Sequence, residues 1–344
     1  MIMRYDPIDK VILFGGSLTL SGLAKWLISE EIQVKIFTSP RHAEESLTDE
    51  GMSLAELLVE LDVPYVVTED INKESSLMAE ITPNTLGIGI GEAWSFDANI
   101  IDAFSGKLLD FMGIPLPRYR GGAHYTWMIM SGEHRNGVRL QVINTEMIQG
   151  EFDSGEIVEN IDYIMDDEEL LPSHFFQREV QEGVDFISRF LSDVRSGRDF
   201  KLSKIDESKS LYLPRLNTDR HGWIDWRSWS GLDIERFIRA FDTPYKGAST
   251  TINDQRVYLK NAHLIEDQAS FHPFQSGLVA RVSKEEGVVI CTVGGLLVIH
   301  SVTSESGKDI TQTLKNGDRF FTPQKELENA LLYRIDYNAS GLKE

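Results

Sequence analysis

The stretch from Lys107 to Trp127, KLLDFMGIPLPRYRGGAHYTW, decides how the rest of the chain is read. Its first five residues are an apolar run of strand length with one carboxyl group, Asp110, inside it. An irregular loop follows. Pro115 and Pro117 fix φ, and Gly121-Gly122 admit backbone conformations that other residues avoid. Such a loop is costly to keep unless something uses it. In open α/β sheets ligands bind beyond the carboxyl ends of the strands, so a strand running into this loop marks a candidate site. Further on, residues 150–157 (GEFDSGEI) form an acidic turn leading into another strand.

Working outward, residues 10–16 (KVILFGG), 18–27 and 33–38 (QVKIFT) read as strand, helix and strand. Leu54, Leu57, Leu58 and Leu61 recur at helical spacing before a strand at 63–67, and residues 85–91 (TLGIGIG) form a glycine-rich strand before a helix at 97–104. Alternating elements with short connections predict a mostly parallel sheet covered by helices on both faces, an α/β Rossmann-like domain. Gly15-Gly16 lacks the spacing of a dinucleotide fingerprint, so NAD is unsupported. Residues 174–197 predict an amphipathic helix with Gly197 as its stop. From about Gly222 the texture changes to a short helix at 233–240 and runs of β character at 249–252, 256–259, 277–282, 288–291 and 295–302. Evenly spaced short strands predict a small β-barrel-like domain of OB type. The expected division is 1–205, 206–320 and a C-terminal tail at 321–344.

Composition narrows the classes. Hydrophobic residues at 41% and charged residues at 26% are those of a globular chain. No apolar run is long enough to span a bilayer and the start lacks a signal-peptide core, so the expected location is cytoplasmic. The single cysteine, Cys291, excludes a disulfide framework and a multi-cysteine metal site. The net charge of −20 is uneven. Residues 1–200 hold 15 Lys and Arg against 35 Asp and Glu, and residues 201–344 hold 19 of each. Nucleic-acid binders present basic surfaces, so neither half suits that role.

Leu116-Pro117-Arg118-Tyr119-Arg120-Gly121, then Trp127, then Asp153, Gly155 and Ile157 resemble the folate-dependent formyltransferases, whose pattern runs Asn-x-His-x-Ser-x-Leu-Pro-x-Tyr-Arg-Gly, Trp, Asp-x-Gly-x-Ile. Residues 222–226 (GWIDW), 239–241 (RAF) and Gly247-Ala248 are similar to the second domain of that family. The resemblance spans roughly 10–305. It implies transfer of a formyl group from formyl-tetrahydrofolate, a co-substrate, to an amine, with no metal expected. The acidic balance disfavours tRNA and favours a small amine-bearing substrate, such as a nucleotide-linked amino sugar; no membrane partner is expected, and a homo-oligomer is admitted.

The same resemblance implies a catalytic Asn, His and Asp. Here Asp110 stands at the Asn position, Met112 at the His and Ile114 at the Ser, while Asp153 matches. Met has no proton to exchange, and an ionised Asp110 cannot donate to an oxyanion. Three rescues follow: His124 as substitute base, an Asp110 kept protonated by Asp153 so that it donates, or a metal held by Asp110, Asp153 and His124. For the folate, the resemblance points to Ile88, Gly89, Gly91 and Trp94 on one wall and the 148–153 segment, with Ile148 and Gly150, on the other. The other reading is a catalytically inactive relative, kept for ligand binding or assembly.

Overall fold

A computed structural model describes residues 1–48, 50–145, 153–168, 170–265, 271–338 and 340–342. Seven strands build the main sheet: β1 (Lys10–Gly15), β2 (Gln33–Thr38), β3 (Tyr65–Val67), β4 (Thr85–Ile90), β5 (Leu108–Met112), β6 (Arg135–Val142) and β7 (Ile157–Ile164). Their order is β3-β2-β1-β4-β5-β6-β7. The first five are parallel, and β6 and β7 are antiparallel additions at one edge. The chain leaves β1 towards β2 and returns to β4 on the other side, which creates a crevice at the strand ends.

Strand periodicity sorts the core into two faces. Val11 and Leu13 pack with Leu20, Leu23 and Leu27 of α1 (Leu18–Ser29) on one face. Ile12 and Phe14 pack with Ile100, Ile101 and Phe104 of α2 (Ala98–Phe104) on the other. Helix α3 (His124–Ser131) follows the loop after β5. Helix α4 occupies Pro172–Arg195, two residues earlier than expected at each end. Pro172 takes the first turn, where its fixed φ and missing N–H cost nothing. Phe186, Ile187, Phe190 and Leu191 of α4 join the face of α1.

Helix α5 (Gly231–Ala240) opens the second domain. Its strands are β8 (Ala248–Ile252), β9 (Gln255–Ile265), β10 (Val279–Ser283), β11 (Gly287–Thr292) and β12 (Gly295–Ser304), in the order β8-β9-β12-β11-β10, all antiparallel. β9 runs beyond the expected 256–259 because its second half pairs with β12. Residues 317–321 close the barrel. Thr251 N–H bonds the Phe321 carbonyl at 2.9 Å, and Val279 N–H bonds the Asp318 carbonyl at 2.8 Å, so the segment bridges both edge strands. Trp226 stacks on Phe320 at 5.8 Å and donates its Nε1–H to Thr250 Oγ1 at 2.9 Å. Helix α6 (Gln324–Leu332) lies within the expected tail.

A backbone seam joins the loop after β5 to the segment between the domains. Arg120–Gly121 pairs with Tyr212–Leu213 in parallel. Gly122 N–H bonds the Leu213 carbonyl at 3.0 Å, and Trp127 Nε1–H bonds the Pro214 carbonyl at 2.8 Å. Met128 and Ile129 share a core with Phe237, Ile238 and Phe241, so the two domains pack as one body around α3 and α5. Among the described residues no helix is long and apolar enough to cross a membrane.

The Trp127→Phe variant removes one hydrogen bond while keeping the aromatic body. We expect a loss of about 1 kcal/mol and a lowered melting temperature in thermal unfolding. An unchanged melting temperature would mean that the seam adds nothing to stability.

Candidate functional site

The site begins with a register. Gly89 on β4 lies opposite Asp110 on β5, and Asp110 lies opposite Gln141 on β6. Three neighbouring strands therefore deliver a glycine, a carboxyl and a carboxamide side by side, near the carboxyl ends of the parallel strands. Asp110 is 7% exposed and Gln141 fully buried. The Gln141 amide Nε2 donates to Asp110 Oδ2 at 2.8 Å. Directly opposed cross-strand partners are close enough for such a bond to form without distortion. The other end of the amide, Gln141 Oε1, finds no hydrogen-bond partner among the described residues. A buried polar atom left in this state costs free energy.

Asp153 reaches the same amide from the loop before β7. Its carboxylate accepts from the Gly121 N–H and from Gln141, and Arg120 stands nearby. Arg120 also donates to the Asp153 carbonyl at 2.7 Å and pairs with Glu207 at 2.6 Å, which fixes the turn from the domain seam. Asp153 itself has φ of +57°, a strained value for a residue with a side chain. Gly155 explains how the turn lies so close to β6: a Cβ there would strike the Val142 carbonyl oxygen.

A third carboxyl completes the row. The Glu92 side chain folds back over Gly89, with Oε2 2.5 Å from where a Cβ of residue 89 would stand. A side chain at position 89 would displace it. Burial, then the Asp110 and Asp153 charges, push the Glu92 carboxyl well above its ordinary range, against the pull of its own backbone N–H. Burial and the Asp153 charge push Asp110 up to about 7, and the Gln141 bond opposes them. Burial raises Asp153 as well, offset by Arg120, the Gly121 N–H and Gln141. Burial raises all three acids, and the Asp153 charge adds to the rise at Asp110 and Glu92.

His124 has different surroundings. Its Nε2 lies 2.9 Å from the Gly121 carbonyl, and burial together with Arg215 lowers its pKa to about 4. It is thus a neutral ring bonded to the loop, and its electrostatic neighbours are not the three acids. Met112 and Ile205 pack against Ile114, Leu116 and Ile157, so two of the three residues that differ from the family pattern enter one apolar cluster. Among the described residues no group of three or more His, Cys, Asp or Glu is arranged to hold a metal ion, which leaves Asp110, Asp153 and His124 unassembled as a chelate.

Of the residues expected on the folate wall, the side chain of Ile88 is sealed in the core, leaving only its backbone for contact. Gly89 carries Glu92, and Gly91 (φ +63°) borders open space. Trp94 packs against the α2 face and donates its Nε1–H to the Glu69 carbonyl at 2.9 Å. Ile148 and Gly150 lie outside the described residues. The sequence alone had not assigned chemistry to Glu92 or Gln141. Gln141 was legible in the alternation Val138, Leu140, Val142 with Arg139 and Gln141 between, which marks a strand with one polar face.

Comparisons with known proteins agree with this architecture. Residues 217–318 match the family described as formyl transferase, C-terminal domain. The methionyl-tRNA formyltransferase of Treponema denticola is 24% identical over 314 residues, covering 87% of this chain and 94% of that protein. That of Mycoplasma capricolum is 26% identical over 202 residues, covering 59% of this chain and 60% of that protein. Among solved structures, an N-formyltransferase from Helicobacter canadensis, in complex with folinic acid and dTDP-3-aminofucose, superposes with a TM-score of 0.62 at 15% identity, over 85% of this chain and 98% of that one. HypX from Aquifex aeolicus in complex with tetrahydrofolic acid gives 0.55 at 20% identity, over 87% and 45%. Family model, relatives and fold all make this chain similar to the formyltransferases, with the C-terminal domain of that family matched over residues 217–318.

Proposed function

We propose that this protein transfers a formyl group from formyl-tetrahydrofolate to an amine on a small substrate, with Asp110 in its acid form as the donor to the formyl oxygen. The observation that carries the reading is the orientation of Asp110. Its Oδ2 is taken by the Gln141 amide, which leaves Oδ1 to carry the proton. A buried carboxyl raised to about 7 holds that proton through much of the neutral range. A carboxylic acid kept neutral in this way donates a hydrogen bond as an amide does. The residues also suit a folate. Gly91 borders open space, the Trp94 ring stands at the end of β4, and the orphaned Gln141 Oε1 asks for an N–H. Bound, the co-substrate supplies an electrophilic formyl carbon. Asp110 would then face the developing charge on the formyl oxygen, and Asp153, anchored by Gly121, would hold Gln141 and the row in place.

For the acceptor, we favour a nucleotide-linked amino sugar over tRNA. The first 200 residues carry a net charge of −20, which opposes a polyanion. The Helicobacter canadensis neighbour binds a dTDP-linked amino sugar. An inactive ligand-binding homologue is the second reading, and the apolar cluster around Met112 is what favours it.

Incubation with 10-formyl-tetrahydrofolate and a panel of dTDP- and UDP-linked amino sugars, with methionyl-tRNA alongside, tests the proposal by mass spectrometry. The expected result is a formylated sugar. Folate binding without any formylated product would instead support the inactive homologue. Asp110→Leu should lower kcat by about 10²–10³-fold, the usual cost of a lost oxyanion donor. Asp110→Asn should retain turnover and lose the decline above neutral pH, because an amide donates at every pH. An Asp110→Asn variant as slow as Asp110→Leu would contradict the donor role.

The same proton makes a stability prediction. The Asp110 carboxyl titrates near 3.8 when unfolded and about 7 when folded, so its stabilising proton is lost as pH rises through that window. Relative to wild type, Asp110→Asn should therefore gain stability from pH 4 to pH 8. Parallel melting curves across that range would refute the raised carboxyl.

A further inference from the structure

Acylation of an amine also requires two proton movements. One proton must leave the amine nitrogen, and another must reach the departing folate nitrogen. Among the described residues at this end of the sheet, Asp110, Asp153, His124 and Glu92 are the candidates to carry them. Asp110 is committed on one oxygen to Gln141. Asp153 is committed to the Gly121 N–H and to Gln141. His124 is bonded to the Gly121 carbonyl. Glu92 differs. It leaves the end of β4 at the crevice, and its carboxylate rests over Gly89, where absence of a side chain gives it room. The register sets Gly89 opposite Asp110, so a carboxyl lying over Gly89 comes into the row that ends at the unpartnered Gln141 Oε1.

On the footing of the formyl-transfer reading above, we propose that Glu92 is a catalytic acid/base of this enzyme, carrying the proton from the acceptor amine to the folate nitrogen. The step balances. The amine nitrogen bonds to the formyl carbon, and the Glu92 acid gives its proton to the folate nitrogen. The bond between that carbon and the folate nitrogen breaks, and the electron pair stays on nitrogen. The Glu92 carboxylate then takes the surplus proton from the former amine nitrogen, so the formamide and tetrahydrofolate leave with Glu92 as it began. Asp110 keeps its own proton throughout.

The groups facing Glu92 are Asp110 on β5 and Asp153 on the turn before β7, with its own backbone N–H the opposing donor. Arg120 acts only at a remove, through Asp153 and Glu207. Among these acids the Glu92 carboxyl holds a proton more readily than a solvated carboxyl does, and it stands where that proton can be passed on, as general acid–base catalysis requires. The two acids titrate as a pair, so the pH profile of the reaction reports both.

The test uses the full chain and the isosteric Glu92→Gln variant. Tetrahydrofolate affinity, measured by calorimetry, should stay within about threefold of wild type, which also shows that the variant folds. In the transfer assay kcat should fall by about 10²–10⁴-fold with little change in KM for the folate, the range lost with a general acid–base group. Glu92→Asp should recover part of the rate with a shifted pH profile. A readout without turnover is the infrared band of a protonated carboxyl in the ligand-free protein at pH 7, expected in wild type and diminished in Glu92→Gln. Wild-type kcat in Glu92→Gln, with wild-type turnover intact, would overturn the role of Glu92 and leave the transferase reading standing. An unchanged carboxyl band in Glu92→Gln would likewise overturn it. Failure of wild type to formylate any acceptor would instead bring down the reading on which the role rests, and the role with it.

Discussion

The hydrogen bond between the Gln141 amide and Asp110 is the constraint on which this site depends. It pairs a buried carboxamide with a buried carboxyl across two antiparallel strands, where neither could remain alone without cost. It fixes which oxygen of Asp110 is free, the one that would carry the donor proton in the proposed reaction. The amide is shared with Asp153, so one side chain holds two carboxyls at close range. Burial and the Asp153 charge then raise the Asp110 carboxyl to about 7. In the proposed reaction, crowding of acids supplies the donor and the proton carrier that the sequence had lost.

The rest of the structure serves that crowding. The seam between Arg120–Gly121 and Tyr212–Leu213 ties the loop after β5 to the segment between the domains. Arg120 carries this restraint to the Asp153 carbonyl, and Gly121 carries it to the Asp153 carboxylate. The Arg-Gly-Gly and Trp127 positions thus act mainly as architecture. Trp127 bonds the Pro214 carbonyl, and Met128 and Ile129, just after it, enter the core shared with α5. A motif that looks catalytic by position stabilises the turn that presents Asp153.

Much of this was legible in the chain itself. Periodicity placed β1, β2, β4 and β5, and the change of texture after Gly222 announced a second β-rich domain. The departures at Asp110, Met112 and Ile114 were visible as soon as the pattern was aligned. Two things were not. The strand at 135–142 went unread because the notable residues lay on either side of it, so Gln141 had no position relative to Asp110. Glu92 had been given no role. Its approach to Asp110 depends on a side chain folding back over Gly89, a tertiary fact that spacing along the chain does not encode. The surroundings of His124 are of the same kind, since Arg215 reaches it from the far side of the seam.

The measurement that bears most directly on the account is the ¹³C carboxyl shift of Asp110 followed by NMR against pH in aspartate-labelled protein, assigned with Asp110→Asn. A midpoint near 7, as burial and the Asp153 charge require, would mean that the crowded acids hold a proton where a donor is needed. A midpoint near 4 would mean that Asp110 is an ordinary carboxylate, unable to donate, and the account of the site would be wrong.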